Sequence, residues 1–381
     1  MTTKNLLVFS TMMLGTLFFT ACKKNATPVC GDGATTVTTT KVIVSGLNDP
    51  RGLKFGPDGY LYVAEAGTGG TAFCNTCLQV VPPVGPYVGS NTGSRISKID
   101  LNGVRTTVAD NIPSSTTQAA AGSGIQGVAD VEFIGNTLYG VTAGSGASHA
   151  VPNFPNGIIK VNKDGKWELV ANCSEYLMTH PVAHIDPDDF EPDGTPYSMT
   201  SVGGDLYITQ PNQQEIDRIN PMTGKISRIA DISILHPGTG NTWIGPTSMV
   251  YHDGNFYFGT LTPFPTVTGA AAVYKLSANG SYSVFASGFT AVLGIAFDSE
   301  GRLYVLESIG VGSGTPASGD IVRLDKNGNK EMIASGLNFP SAMTFGPDGK
   351  LYVSAWGIGP AGLGQILQLS FTCERVQGEQ K

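Results

Sequence analysis

Charged side chains are scarce in this chain of 381 residues, where Asp, Glu, Lys and Arg together make up 14%. They leave a net charge of −7, and no basic stripe runs along the sequence. Nucleic-acid binding depends on clustered Lys and Arg that neutralise phosphates, so the composition excludes nucleic acid as a partner. Long helices favour Ala, Leu, Glu and Lys, whereas this chain is rich in Thr, Val, Ile, Tyr and turn residues, with 50 Gly and 23 Pro.

Short catalytic signatures are also missing. The chain contains no G-x-S-x-G nucleophile elbow, no H-E-x-x-H motif and no phosphate-binding loop. Cys74 and Cys77 have the spacing of a metal-ligand pair, but no second pair follows, and two ligands do not make a structural zinc site. The sequence leaves two interpretations open for them, a small loop disulfide or two inert thiols.

The N-terminus carries an apolar stretch over residues 6–21, preceded by Lys4. A short apolar segment behind a positive charge is typical of a signal peptide, and Phe19-Thr20-Ala21-Cys22 resembles the bacterial lipobox. We predict a lipoprotein signal peptide over residues 1–21, lipidation at Cys22 and a tether over residues 22–35. The expected location is the bacterial cell envelope, lipid-anchored, either facing the periplasm or at the outer membrane. The alternative is an ordinary secretory signal or an uncleaved anchor.

One phrase recurs along the chain and indicates the fold class. A dipeptide, Leu-Tyr or Phe-Tyr, begins a strand after a Gly-rich turn, at Leu61, Leu138, Leu206, Phe256, Leu303 and Leu351. The last four pairs lie 50, 47 and 48 residues apart, which matches propeller blades of roughly 40–50 residues. We predict an all-β fold over residues 36–373, a six-bladed β-propeller with four-stranded blades, followed by a C-terminal tail over residues 374–381.

The order of the repeats predicts how the ring closes. Only five fourth strands follow in sequence, and the missing one resembles residues 41–44, which lead into the same Ser-Gly-Leu phrase as the strand of blade five. The N-terminal strand should therefore complete the last blade and remove an exposed sheet edge. Cys30 precedes this strand and Cys373 follows its antiparallel neighbour. We predict a disulfide between them, with two unpaired cysteines as the alternative.

The connections between strands fall into two classes. Short Gly- and Asn-rich hairpin turns occupy one face of the predicted propeller. The long connections share the opposite face, and they span residues 66–94, 111–127, 143–156, 172–196, 231–245 and 308–319. Long loops on a rigid scaffold usually carry binding, so we expect a ligand or partner on this long-loop face.

Alignment of the blades places several functional side chains near the channel mouth on that face. The candidate ligand-binding residues are Arg51, Glu65, Asp130, Tyr197, Gln210, Glu307 and Trp356. Glu65, Asp130 and Glu307 are the candidate metal ligands, because converging carboxylates suit Ca²⁺ or another divalent cation; they also suit acid–base hydrolysis. The alternative is a solvated channel lining. A second candidate, His180 and His184 before an acidic run, is either a metal pair or a solvated loop.

Two segments, 49–65 and 339–353, resemble NHL-type and gluconolactonase-type repeats. Residues 191–199 are similar to the ScyD/ScyE family segment that follows an acidic residue with Asn-Pro-Asp-Gly and Asn-Pro-Tyr-Gly, although Glu191, Thr195 and Ser198 depart from it. The resemblance covers roughly residues 41–370. It implies a propeller, and gluconolactonase-type relatives hold a central divalent cation with Glu, Asn and Asp. Glu65 matches the acid, and the Asn ligands have no match.

These observations favour binding over catalysis. The primary hypothesis is a propeller held at a membrane by a lipid, acting as a monomer and binding a small molecule or a protein on its long-loop face. One alternative is a divalent-metal-dependent hydrolase or lactonase at the channel mouth. The other alternative is a structural interaction scaffold.

Overall fold

The computed structural model describes Cys30 and residues 34–77, 85–117, 124–185, 191–235, 244–262, 266–308, 318–325 and 327–375. Outside these residues lie the predicted signal peptide, Cys22, most of the tether, most of the C-terminal tail and residues 186–190 of the acidic run after His184. Among the described residues, no helix has the length and apolar character needed to cross a membrane.

Strands dominate the described chain. In chain order they are β1 Ala34–Leu47, β2 Pro50–Phe55, β3 Leu61–Glu65, β4 Tyr87–Ile99, β5 Arg105–Thr117, β6 Val128–Ile134, β7 Thr137–Thr142, β8 Gly157–Val161, β9 Trp167–Asn172, β10 Met199–Val202, β11 Asp205–Gln210, β12 Glu215–Asn220, β13 Lys225–Asp231, β14 Gly245–His252, β15 Asn255–Leu261, β16 Ala271–Leu276, β17 Tyr282–Phe289, β18 Val292–Phe297, β19 Leu303–Glu307, β20 Ser318–Leu324, β21 Lys330–Asn338, β22 Ala342–Phe345, β23 Leu351–Ala355 and β24 Gly364–Arg375. One short helix, α1, spans Cys173–Thr179.

The strands form six four-stranded sheets, which confirms the predicted six-bladed β-propeller. Blades 1 to 5 each use four consecutive strands, starting at β2, β6, β10, β14 and β18. Blade 6 contains β22, β23 and β24, and β1 completes it by pairing antiparallel with β24. The first strand therefore closes the ring, as predicted. The disulfide between Cys30 and Cys373 joins residues 343 positions apart beside this pair of strands, and it confirms the predicted bond.

The hydrophobic core is divided among the blade interfaces. One buried cluster fills each interface between neighbouring blades, because alternate side chains of a strand face opposite sides of its sheet. The recurring tyrosine packs edge-on against a phenylalanine of the next blade, with ring centroids 4.9 Å apart for Tyr62 and Phe133 and 5.0 Å for Tyr304 and Phe345. The tyrosine of the repeated dipeptide thus joins one blade to the next.

Three of the predicted long connections contain regular structure instead. Residues 87–94 and 111–117 extend β4 and β5 into a hairpin of 13 residues per strand that rises beyond the blade. Residues 172–196 include α1, whose first turn is capped by the side chain of Asn172, which accepts a hydrogen bond from the Glu175 amide. On the remaining part of the first long connection, Cys74 and Cys77 form a disulfide.

Candidate functional site

The innermost strand of each blade supplies the wall of the central channel. One axial cavity of about 80 Å³ is lined by equivalent residues of the six blades, Gly52, Asp130, Ser198, Ser248, Gly294 and Ala342, together with their neighbours. Small residues let the strands approach the axis closely. A Cβ atom at Gly52 would lie 1.8 Å from the Asp130 carboxylate, so this position requires glycine.

Asp130 contributes a carboxylate to this channel cavity. Its two oxygens accept hydrogen bonds from the backbone amides of Val131 and Met199, each 2.8 Å long. Desolvation nevertheless raises the pKa of Asp130 to about 7, against the opposing effect of these amides. Lys54, which also lines the cavity, forms an ion pair with Glu132 at 2.7 Å. Asp130 is thus a carboxyl group poised to hold a proton near neutral pH.

The side chain of Tyr197 closes the channel on the long-loop side. Tyr197 precedes blade 3, and its hydroxyl donates a hydrogen bond to the backbone oxygen of Ser341 before blade 6, at 2.5 Å. The Leu293 oxygen lies 3.3 Å from the same hydroxyl. The phenol therefore crosses the propeller axis. It separates the channel cavity from a second cavity, since both are lined by Tyr197 and Leu293.

This second cavity, called the loop-face cavity below, has a volume of about 290 Å³. Its apolar lining residues include Ala66, Val128, Leu261, Leu293 and Ile358, with Tyr87 and Tyr197. Its polar lining residues include Arg51, Gln126, Glu191, Thr195 and Asn212. The volume lies near the lower end of the range for small-molecule pockets, roughly 300–1,000 Å³. A small molecule with one polar end fits this lining.

The segment between blades 2 and 3 forms a rigid part of the cavity wall. The Thr195 hydroxyl lies within hydrogen-bonding distance of the Glu191 carboxylate and of the Asn212 amide oxygen. Below it, the Asn156 amide donates to the Gly194 oxygen at 2.6 Å, and Asp193 accepts from the Ser148 amide at 2.7 Å. These buried bonds hold the segment in place in front of the cavity.

Glu65 does not reach the channel mouth. It is fully buried and accepts hydrogen bonds from Arg95, from the Ser97 hydroxyl and from the Asn48 amide, and Arg105 lies 3.7 Å away. Glu65 shares a side of strand β3 with Leu61 and Val63, which pack in the cluster between blades 6 and 1. Its side chain therefore points between two blades. The prediction of its place at the channel mouth is corrected accordingly.

Glu307 and Gln210 occupy equivalent places in blades 5 and 3. Glu307 is buried and accepts a hydrogen bond from the Thr290 amide at 2.6 Å, and desolvation raises its pKa. Gln210 is fully buried beside Gly194. The blades radiate from the axis, so the ends of second strands face neighbouring blades and only first strands face the channel. The predicted convergence of Glu65, Asp130 and Glu307 is wrong for this reason.

The described residues contain no group of three His, Cys, Asp or Glu side chains placed to hold a metal ion. The predicted Ca²⁺ set of Glu65, Asp130 and Glu307 is therefore not assembled. His180 ends α1 and stacks on Tyr176, with ring centroids 4.4 Å apart, and no third ligand joins it and His184 within the described chain.

Trp356 also lies away from the cavity. Its ring packs 5.5 Å from that of Phe339, and its amide donates to the Asn338 oxygen. Two residues later, Ile358 reaches the cavity wall. The structure therefore brings together Arg51, Asp130 and Tyr197 around the axis, whereas Glu65, Gln210, Glu307 and Trp356 lie elsewhere. Alignment of the blades missed Tyr87 and Gln126, which come from long connections with no counterpart in the other blades, and Asn212, which lies in the short connection between β11 and β12.

No protein-family model matches the chain, and no curated protein sequence matches it. The chain is similar to several solved structures. A gluconolactonase from Xanthomonas campestris has a TM-score of 0.53 at 12% identity, over 91% of this chain and 97% of that chain. A streptogramin B lyase has a TM-score of 0.47 at 15% identity, over 88% and 98%. A nidogen/laminin complex gives 0.45 at 13%, over 74% and 97%. At this level of identity, the similarity to the gluconolactonase supports the propeller fold alone.

Proposed function

We propose that this propeller binds a small organic molecule in the loop-face cavity. The observation that carries the proposal is the cavity itself, a space of about 290 Å³ lined by both apolar and polar side chains. Tyr197 gives it a closed floor, because the phenol is hydrogen-bonded across the axis. A pre-formed cleft with mostly apolar walls and a few placed polar groups is typical of ligand sites.

The segment that resembles the ScyD/ScyE family supports the same location. Glu191, Thr195, Pro196 and Tyr197 all line the cavity, and all belong to that segment. We further propose that the chain belongs to this family, is exported, and is attached to a membrane through a lipid on Cys22. In this form the chain is a monomeric binding protein of the bacterial cell envelope that faces the periplasm or sits at the outer membrane.

A metal-dependent hydrolase is the weaker candidate. Such an enzyme needs acidic ligands that converge on the substrate. Glu65 instead forms ion pairs with Arg95 and Arg105, and Glu307 accepts a hydrogen bond from the Thr290 amide. No observation in the described part of the chain favours hydrolysis over binding, so binding is the function we propose.

The test is to block the cavity. Ile358→Trp should fill it from the blade 6 connection, whereas Leu363→Trp, at an exposed position of the same connection, should not. A panel of small aromatic and aliphatic compounds is screened by ligand-observed NMR against both variants and the original protein. We expect compounds that bind the original protein and Leu363→Trp to lose binding to Ile358→Trp. Equal binding to all three proteins would show that the cavity is not the site.

A further inference from the structure

Arg51 differs from the other arginines whose side chains the structure describes. Each of the others forms an ion pair with a carboxylate, and they are Arg95, Arg105, Arg218, Arg228, Arg302 and Arg323. Arg51 has no ion-pair partner within the described ranges, and it lines the loop-face cavity. Arg51 therefore lines a cavity without the ion pair that each comparable arginine forms.

The hydrogen bonds of Arg51 are also incomplete. Its Nη2 group donates to the backbone oxygen of Ile125 at 2.6 Å, and its buried Nε has no hydrogen-bond partner. A guanidinium carries five N–H donors in a planar fork that matches a carboxylate. Arg51 is half-buried, and burying a donor such as Nε without a partner is costly. An anion in the cavity would satisfy both the charge and the free donors.

Two acids, Asp49 and Glu191, lie near Arg51 or share its cavity, and neither forms an ion pair with it. Asp49 is fully buried, and desolvation raises its pKa to about 7 although the charge of Arg51 opposes this. Asp49 therefore takes up a proton more readily than an ordinary aspartate does. Glu191 lies on the wall formed by the segment between blades 2 and 3, where it contacts the Thr195 hydroxyl. Tyr197 adds no charge, because desolvation raises the pKa of its phenol further above neutrality.

We propose that the ligand of the loop-face cavity carries a carboxylate, and that Arg51 is the residue that binds it. This inference rests on the function proposed above and adds the chemical class of the ligand. Arg51 is the one cation among the described residues of the lining, and a single cation suits a singly charged carboxylate better than a phosphate, which carries a charge of about −1.5 to −2. The aliphatic wall around Leu261 and Ile358 suits an apolar body. The ligand class is thus a small organic acid with an aliphatic or aromatic body.

The test compares acids with amides of the same shape. Benzoate and hexanoate are titrated calorimetrically against the full chain, alongside benzamide and hexanamide, with phenyl phosphate as a further arm. We expect the acids to bind at least about tenfold more tightly than the amides, since a hydrogen bond to a charged group is worth about 1.5–3 kcal/mol. Arg51→Gln should remove this advantage. Arg51→Lys should keep part of it, because it keeps the charge without the fork.

Arg218→Gln is the matched control, because it removes an arginine charge at an ion pair with Asp205 outside the cavity. It should leave the affinity for the acids unchanged. Equal binding of acids and amides, both lost in Ile358→Trp, would overturn the carboxylate inference and leave the proposed function standing. So would acid binding that survives Arg51→Gln, or tighter binding of phenyl phosphate. If none of the five probes binds the original protein, the proposed function falls together with the inference.

Discussion

The Tyr197 hydroxyl donates a hydrogen bond to the Ser341 backbone oxygen on the opposite side of the propeller axis, 2.5 Å away. The two residues precede the first strands of blades 3 and 6, which share no sheet and no hydrophobic cluster. A single side chain thereby links two opposite blades. The same phenol is the floor of the loop-face cavity and the roof of the channel cavity, so the architecture of the candidate site depends on it.

Tyr197→Phe should therefore destabilise the protein. The variant keeps the ring but leaves the Ser341 oxygen without its partner, and an unsatisfied buried polar group costs about 1–3 kcal/mol. Urea unfolding at neutral pH measures the change. Tyr251→Phe is the control, because Tyr251 is exposed, and its free energy of unfolding should change by less than about 0.5 kcal/mol. Equal effects of the two substitutions would contradict the importance of the cross-axis bond.

Glu65→Gln should strongly lower the free energy of unfolding. The substitution removes the buried charge that faces Arg95 and Arg105, and breaking a buried ion pair from one side costs about 3–5 kcal/mol. The control is Glu168→Gln, which removes an exposed partner of Lys160 and should cost less than about 1 kcal/mol. Thermal and urea unfolding report both. A loss of ligand affinity without a loss of stability would instead indicate that Glu65 acts in ligand binding.

The sequence predicts which blade positions are equivalent, but not the direction in which each side chain points. The first-strand positions from Gly52 to Ala342 are equivalent in the six blades and line one cavity. Glu65 follows Leu61 and Val63 on one side of β3, while Tyr62 and Ala64 lie on the other, and both sides are buried. Polarity therefore gives no clue to the direction, because a strand buried on both faces lacks the usual alternation.

Other features were missed for different reasons. The β4–β5 extension is built from Ser, Thr and Gly, which are common in loops. The helix α1 had a usable signal, since Asn172 followed three residues later by Glu175 resembles a capping box. The contact of Tyr197 with Ser341 joins residues 144 positions apart, and no local pattern encodes such a contact. Ring closure, by contrast, followed from counting strands, because a closed propeller must complete every blade.

The disulfide at the ring closure should contribute far more stability than the one in the loop. Cys30→Ser with Cys373→Ser opens a bond across 343 positions, and removing such a native disulfide typically costs about 2–5 kcal/mol. Cys74→Ser with Cys77→Ser opens one across three positions. Because the entropic effect grows with loop length, this control should cost about 2 kcal/mol or less. Non-reducing unfolding curves compare them, and an equal loss in both would contradict the clamp at the closure.

The predicted lipid anchor is tested at Cys22, which lies outside the described residues. Cys22→Ala should abolish lipidation and release the protein from the membrane fraction, since a lipidated cysteine with several acyl chains anchors stably. Cys30→Ala is a matched control, because it removes a nearby cysteine that forms the disulfide with Cys373. Membrane fractionation and metabolic labelling with a fatty acid give the readout. Retention of Cys22→Ala in the membrane fraction would refute the anchor.

Asp130 gives the channel a pH dependence whose sign follows from its surroundings. Desolvation raises its pKa in the folded protein from 3.8 to about 7, so the folded state binds this proton more tightly than the unfolded chain does. Stability from this group is therefore greatest below about pH 4 and falls as the pH rises toward 7. Other buried acids and His149 titrate in the same region, with His149 acting in the opposite direction because desolvation lowers its pKa to about 4. A comparison with a variant isolates the contribution of Asp130.

Asp130→Asn should flatten this dependence. The free energy of unfolding of the original protein minus that of the variant should decrease between pH 4 and pH 7, by up to about 4 kcal/mol. The offset between the two curves does not matter, because the asparagine alters the hydrogen bond to the Val131 or Met199 amide equally at every pH. Urea unfolding at half-unit pH intervals measures the slopes. Asp164→Asn, at an exposed turn, is the control, and curves as parallel for Asp130→Asn as for this control would show that Asp130 is ionised throughout.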